Sequence, residues 1–123
     1  MQLKKGVKLL EEMIGEGEEV KRQENYLTSM RITLNKGEIV EGCLSHYVDE
    51  YTQTDDDGFF QHRVRIDREN LIPGIFYTVQ GMKIGGYRKV EISYHLAYGE
   101  KGIPGKIPPK AKIIAEIKIL EKI

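Results

Sequence analysis

The stretch of this chain best suited to meeting another molecule is a loop rich in glycine and proline that carries Tyr98. Ala97 to Pro109 reads AYGEKGIPGKIPP, with Gly99, Gly102 and Gly105 alternating with Pro104, Pro108 and Pro109. Proline fixes φ and glycine supplies conformations that other residues resist, so such a loop is stiff and sharply bent. It still displays Tyr98, Ile103 and Ile107. A stiff loop holding apolar side chains at the surface is suited to binding rather than to making or breaking bonds.

Other chemistry-bearing residues give weaker signals. Asp55-Asp56-Asp57-Gly58 lacks the spaced oxygen ligands and closing glutamate of a calcium loop, and reads as a solvated turn. His46, His62 and His95 have no metal-ligand spacing. Cys43 is the single cysteine, so it forms no internal disulfide, and no base is spaced to activate it as a nucleophile. Lysine and arginine are scattered and balance the acids at 19 each, which gives no electrostatic reason to expect nucleic acid or an anionic membrane as partner.

The elements that must position the loop follow from pattern. At 123 residues, 40% hydrophobic and 31% charged, the chain fits one globular domain, 1–123, rather than a disordered one. No apolar run approaches the roughly 18 to 20 residues of a membrane span. The opening MQLKKGVKLLEEMIGEG has apolar patches broken by glutamate, unlike a secretory signal. A reducing cytoplasm is the expected location.

Met1 to Ile14 suggests an edge strand or a short amphipathic piece, and Gly15 to Asn25 a polar loop. Tyr26 to Leu34 is β-rich; Asn35-Lys36-Gly37 turns it into a returning strand over 38–44. Phe60, His62, Val64 and Ile66 alternate on one face of a further strand. Over Asn70 to Met82 the period changes. Ile72, Ile75, Val79 and Met82 fall at helical spacing, Pro73 suits a first turn and Gly81 lies near the end. Arg88, Val90 and Ile92 alternate with Tyr87, Lys89, Glu91 and Ser93. After the loop, Ile113, Ala115, Ile117 and Ile119 mark one face of a final strand. The expected fold is α+β, an antiparallel sheet with one short helix across its apolar face.

From Asn70 to Ile123 the chain resembles the FKBP-type peptidyl-prolyl cis-trans isomerases. The matching residues are Leu71-Ile72-Pro73-Gly74, Gly81-Met82, Gly85, Val90, Ile92, Ala97-Tyr98-Gly99, Gly102, Pro104-Gly105, Ile107-Pro108-Pro109 and Ala111, in family order. Upstream, the hairpin from Leu34 to Glu41 resembles the family's L-E-D-G-x-x-F-D, and Gly15-Glu16-Gly17 its early G-x-G. The resemblance implies a twisted antiparallel sheet wrapped around one short helix. It also implies isomerisation of X-Pro bonds in polypeptides, with a role in protein folding and no cofactor.

That chemistry passes through a twisted amide, over a barrier of about 18 to 20 kcal/mol in water. It needs an apolar cup for the prolyl ring and a few hydrogen-bonding groups on the rim, without a nucleophile, base or metal. Carried over by resemblance, Leu71 and Ile72 line the pocket and offer a backbone N–H. Ile75 stands at the floor, where the family has tryptophan, and Tyr98 is the flap tyrosine. Ile103 and Ile107 are the flap's apolar residues, with Lys106 where the family often has an aliphatic one. Ala115 replaces an aromatic, Val40 a phenylalanine and Glu41 an aspartate, while Met30, His62 and Val64 fall on further family aromatics. Tyr98, Ile72, Ile75 and Glu41 are thus the expected catalytic residues. Met30, Val40, His62, Val64, Leu71, Ile103, Ile107 and Ala115 are the expected substrate contacts.

The loop matches while the aromatic cup is reduced. Phe76, Tyr77, Phe59 or Phe60 would have to refill it, or an extended segment at about 42–61, with Tyr47 and Tyr51, would have to fold over it. Two other functions stay open: a polypeptide-binding or chaperone module of the same fold with weak or no activity, and a wider pocket for macrolide-like ligands. The expected partners are proline-containing polypeptides, met by a monomer.

Overall fold

The computed structural model describes residues 2–35, 37–40, 57–69 and 71–123. Among these residues, seven strands and one short α-helix follow in chain order: β1 (Gln2–Lys4), β2 (Val7–Met13), β3 (Asn25–Leu34), β4 (Ile39–Val40), β5 (Phe60–Arg65), α1 (Pro73–Val79), β6 (Tyr87–Ile92) and β7 (Ile113–Lys122). All seven strands join one antiparallel sheet of order β1-β2-β6-β7-β3-β4, with β5 also paired to β3. The α+β architecture expected from the sequence is the one observed. Among the described residues, no helix is long and apolar enough to cross a membrane.

Strict alternation builds the core. Along β3, Tyr26, Thr28, Met30, Ile32 and Leu34 are buried and the residues between them are not. Opposite them, β5 presents Phe60 to Met30 and Val64 to Tyr26, while β7 presents Ile117 to Met30 and Ala115 to Ile32. Val90 and Ile92 of β6 continue the row beside Ala115 and Ile113. The period of two therefore gathers these buried side chains on the face that α1 covers, and leaves Leu27, Ile114 and Leu120 on the other.

The helix is short because both ends are dictated locally. Pro73 occupies its first turn and the chain leaves at Gln80, with Gly81 at φ +80°. Ile75, Phe76 and Val79 are buried. Gly74 allows the close approach, since a Cβ there would lie 2.4 Å from Ile92 Cγ2 and 2.9 Å from the Leu96 carbonyl oxygen. At the other end, Arg88 donates from Nη1 to the carbonyls of Thr78 (2.8 Å) and Gln80 (2.7 Å), and from Nε to Glu12 (2.6 Å). An inward-facing arginine is tolerated there because orphan helix carbonyls and a carboxylate satisfy it.

The outer face carries a second cross-strand anchor. Arg31 of β3 donates to Glu116 of β7 at 2.5 Å, and the Tyr87 hydroxyl of β6 donates to the other carboxylate oxygen at 2.8 Å. Burial pushes the Glu116 carboxyl up, but the hydrogen bonds and the Arg31 charge outweigh it and hold the group below its ordinary value. Burial, then the Glu116 carboxylate, push the Tyr87 hydroxyl well up.

Candidate functional site

The expected floor residues come together around α1. Leu71 and Ile72 lead into the helix, with Ile72 as its N-cap, and Ile75 follows in the first turn. Met30, Val64 and Ala115 belong to the same buried apolar cluster as these three, as does Ile107, while Tyr98 and Ile103 pack against it half-buried. His62 lies in the same alternating row of β5, half-buried opposite Thr28, whose hydroxyl donates to the His62 carbonyl at 2.9 Å. Val40 pairs with Ile32 at the end of β4. Glu41, with Cys43, His46, Tyr47, Tyr51, Asp55 and Asp56, lies outside the described residues.

Of the aromatics proposed to refill the cup, Phe60 is in the inner row, 1% exposed, opposite Met30. Phe59 is not: its ring lies under the Arg31 guanidinium (4.6 Å) and the Lys118 ammonium (4.4 Å) on the outer face. Tyr77 packs edge-on against Phe76 and takes Lys4 over its ring at 4.4 Å. Phe76 is buried under Arg22 at 5.0 Å.

The loop from Ala97 to Pro109 is held by its own backbone. The Tyr94 carbonyl accepts from Ala97 (3.1 Å) and Gly99 (2.9 Å), the Tyr98 carbonyl accepts from Gly102 (3.2 Å), and Gly99 accepts from Lys110 (3.2 Å). Ile103 and Ile107 exchange both backbone hydrogen bonds, at 2.9 and 2.8 Å, around a tight turn at Pro104-Gly105. Gly102 has φ +66°, and a Cβ there would lie 2.2 Å from the Ile107 carbonyl oxygen, so this crossing admits only glycine. The backbone on each side of Tyr98 is thus fixed before any ligand arrives.

A single 3₁₀ turn, Tyr94–Leu96, launches this loop and was not legible as an element in the sequence. It begins at Ser93, whose N–H donates to the Gly6 carbonyl (2.9 Å), and Tyr94 stacks on His95 with centroids 3.9 Å apart. Tyr94 is therefore a positioning residue for Tyr98 that pattern reading missed. Ser93 just after a strand was the available signal.

The arrangement is apolar and preformed. It offers hydrocarbon surface backed by α1 and the inner sheet, with the Tyr98 phenol at the rim and the His62 imidazole as the titratable group among its described residues. Ile72 and Ile75 are 1% and 0% exposed, so a ring reaches them only when neighbouring side chains move aside.

One short helix packed on the inner face of an antiparallel sheet, beside a stiff Gly/Pro loop, defines an FKBP-like fold. The profile of FKBP-type peptidyl-prolyl cis-trans isomerases matches residues 45–120, and the chain belongs to that family. It is 44% identical over 57 residues to FK506-binding protein 4 of Emericella nidulans, covering 46% of this chain and 12% of that protein. It is 41% identical over 51 residues to the peptidyl-prolyl cis-trans isomerase FPR2 of Saccharomyces cerevisiae, covering 42% of this chain and 38% of that one. The chain thus spans well under half the length of these relatives. Among solved structures, FkpA from Escherichia coli superposes with a TM-score of 0.67 at 26% identity, over 94% of this chain and 46% of that one. A multi-domain immunophilin from Arabidopsis thaliana gives 0.69 at 18% identity over 98% of this chain and 43% of that one, a likeness of fold.

Proposed function

We propose that this chain catalyses cis–trans isomerisation of X-Pro bonds in flexible or unfolded polypeptides. The observation that supports this most directly is the meeting of two preformed parts. An apolar cluster built on Ile72 and Ile75 adjoins a self-bonded loop that holds Tyr98, Ile103 and Ile107 against it. A twisted prolyl amide is less dipolar than a planar one, so moving it from water into such surroundings lowers the barrier without proton transfer. Tyr98, Ile72, Ile75 and Glu41 carry the proposed catalysis. Met30, Val40, His62, Val64, Leu71, Ile103, Ile107 and Ala115 carry substrate contacts, and the role extends to assisting protein folding as a monomer. A cytoplasmic location accords with the single cysteine.

The test is magnetisation-exchange NMR of a short X-Pro peptide with catalytic amounts of protein, beside Tyr98→Phe. Enhanced exchange that falls severalfold in the variant is the expected result. A folded protein that leaves exchange unchanged refutes the enzyme. The small side chains at Ile75 and Ala115 favour, in that event, a polypeptide-binding module that holds proline-containing segments without turning them over.

A further inference from the structure

The loop that holds Tyr98 also holds a set of cations, each placed by the backbone hydrogen bonds of the loop. Lys101 lies inside the turn closed by the Tyr98 carbonyl and the Gly102 N–H. Lys106 donates its N–H to the Ile103 carbonyl at 3.0 Å, between the two isoleucines that pack on the apolar cluster. Lys110 donates its N–H to Gly99, the residue after Tyr98, at 3.2 Å and has φ +54°. All three are exposed. Glu100 is the acid of this stretch, and Lys112 just beyond it is already paired with Glu91 at 3.0 Å. The pairs Arg31–Glu116, Arg65–Asp67, Arg88–Glu12, Lys112–Glu91 and Lys122–Glu24 of the described residues involve none of this set.

Along this stretch three lysines therefore stand against the single acid Glu100, a local excess of positive charge on a segment that packs against the apolar cluster. We infer that these lysines select polypeptides with an acidic residue beside the proline, a substrate preference that rests on the isomerase reading above. Ammonium groups on flexible stems, rooted in a fixed loop, reach a carboxylate on a bound peptide without ordering the backbone further. Groups within a Debye length, about 10 Å at 0.1 M salt, feel this field, and the effect fades as salt rises. Lys106 is the central contributor, since it lies between Ile103, which packs on the apolar cluster, and Ile107, which belongs to it.

The experiment compares three peptides, with Glu, Leu or Lys before the proline, at low and high salt. Exchange rates and chemical-shift titrations are read for the natural chain, for Lys106→Gln and for the triple variant Lys101→Gln, Lys106→Gln and Lys110→Gln. These surface positions leave the core untouched. At low salt the Glu peptide is expected to be turned over roughly three to ten times faster than the Lys peptide. High salt and the triple variant each bring the ratio close to one, with Lys106→Gln between. Equal rates and equal binding for the Glu and Lys peptides overturn the inference, as does a preference that survives in the triple variant. Tighter binding of the Glu peptide without turnover of any peptide sustains the charge preference and refutes the isomerase reading instead.

Discussion

Ile75→Ala separates a pocket floor from a plug in the core. Ile75 is 0% exposed in the first turn of α1, and the substitution removes three buried carbons. At about 0.8 kcal/mol each the transfer loss is about 2.4 kcal/mol, and the cavity left behind brings the cost to about 2–5 kcal/mol. A chain of this size is stable by roughly 6–18 kcal/mol, so the variant stays folded at low temperature. Its melting temperature falls by roughly 8–20 °C. Those figures hold whichever role Ile75 has. Activity distinguishes the roles, because a prolyl ring resting on Ile75 loses the contact of one to two carbons, a loss of about 0.8–1.6 kcal/mol in the transition state. That predicts a roughly fourfold to fifteenfold drop in exchange rate per folded molecule. Ile75→Val, which removes one carbon, falls between. The assay is magnetisation-exchange NMR well below the melting transition, normalised to the folded fraction from circular dichroism. A rate per folded Ile75→Ala molecule within twofold of the natural chain shows that Ile75 supports the core and does not meet the substrate.

Gly74→Ala should destabilise although alanine is the better helix former by about 1 kcal/mol. The added Cβ meets Ile92 carbons at 2.4 and 2.8 Å and a backbone oxygen at 2.9 Å, and overpacking of that kind costs about 1–3 kcal/mol. A higher urea midpoint for the variant would contradict the close packing of α1 on β6. The Glu116 carboxyl is held below its ordinary value of 4.5, so its contribution is present above that pH and is lost as pH falls through the folded value. The Tyr87 hydroxyl, raised above 10.0, contributes below pH 10 and loses that contribution as pH rises through its folded value. Glu116→Gln should flatten the acid limb of stability against pH by up to about 1.4 kcal/mol per pH unit. Glu24, which hydrogen-bonding to Lys122 holds low, keeps its own part in both proteins. An acid limb that is the same in the variant means that the Arg31–Glu116 pair does not hold in solution.

The strands that bury one face were legible because a period of two leaves few alternatives. In β3 and β7, β-branched and long aliphatic side chains at every second position fixed both the element and its inner face. The helix was legible from Pro73 and Gly81 as much as from its apolar spacing. Alternation failed at the N-terminus, which forms two strands, since the register shifts between Leu9 and Glu11 of β2 and the apolar residues there no longer share a face. The same parity argument applies to Phe59 and Phe60. Consecutive residues of an extended segment face opposite ways, so only one of the two can join the inner row, and it is Phe60. Arg88 was legible as inward-facing but not as a helix cap, because its partners are backbone carbonyls that carry no sequence signature.

Composition hid the feature that bears most on specificity. A balance of 19 cations and 19 acids describes the sum of the surface, whereas a substrate meets one part of it. On the sheet, Arg31 of β3 pairs with Glu116 of β7 and Arg88 of β6 with Glu12 of β2, and each pair ties two neighbouring strands together. Such pairs are worth having only where both partners are fixed by a rigid register. Among the described residues, no strand carboxylate is ion-paired with Lys101, Lys106 or Lys110. The rigidity of the Gly/Pro loop comes from backbone hydrogen bonds within the loop and to Tyr94, which leave the side chains uncommitted. A loop stiffened by its own backbone can therefore hold the geometry around Tyr98 constant while its side chains change freely. Substitution at Lys106 should alter which polypeptides are preferred at little cost in stability, and substitution at Gly102 should have the opposite effect.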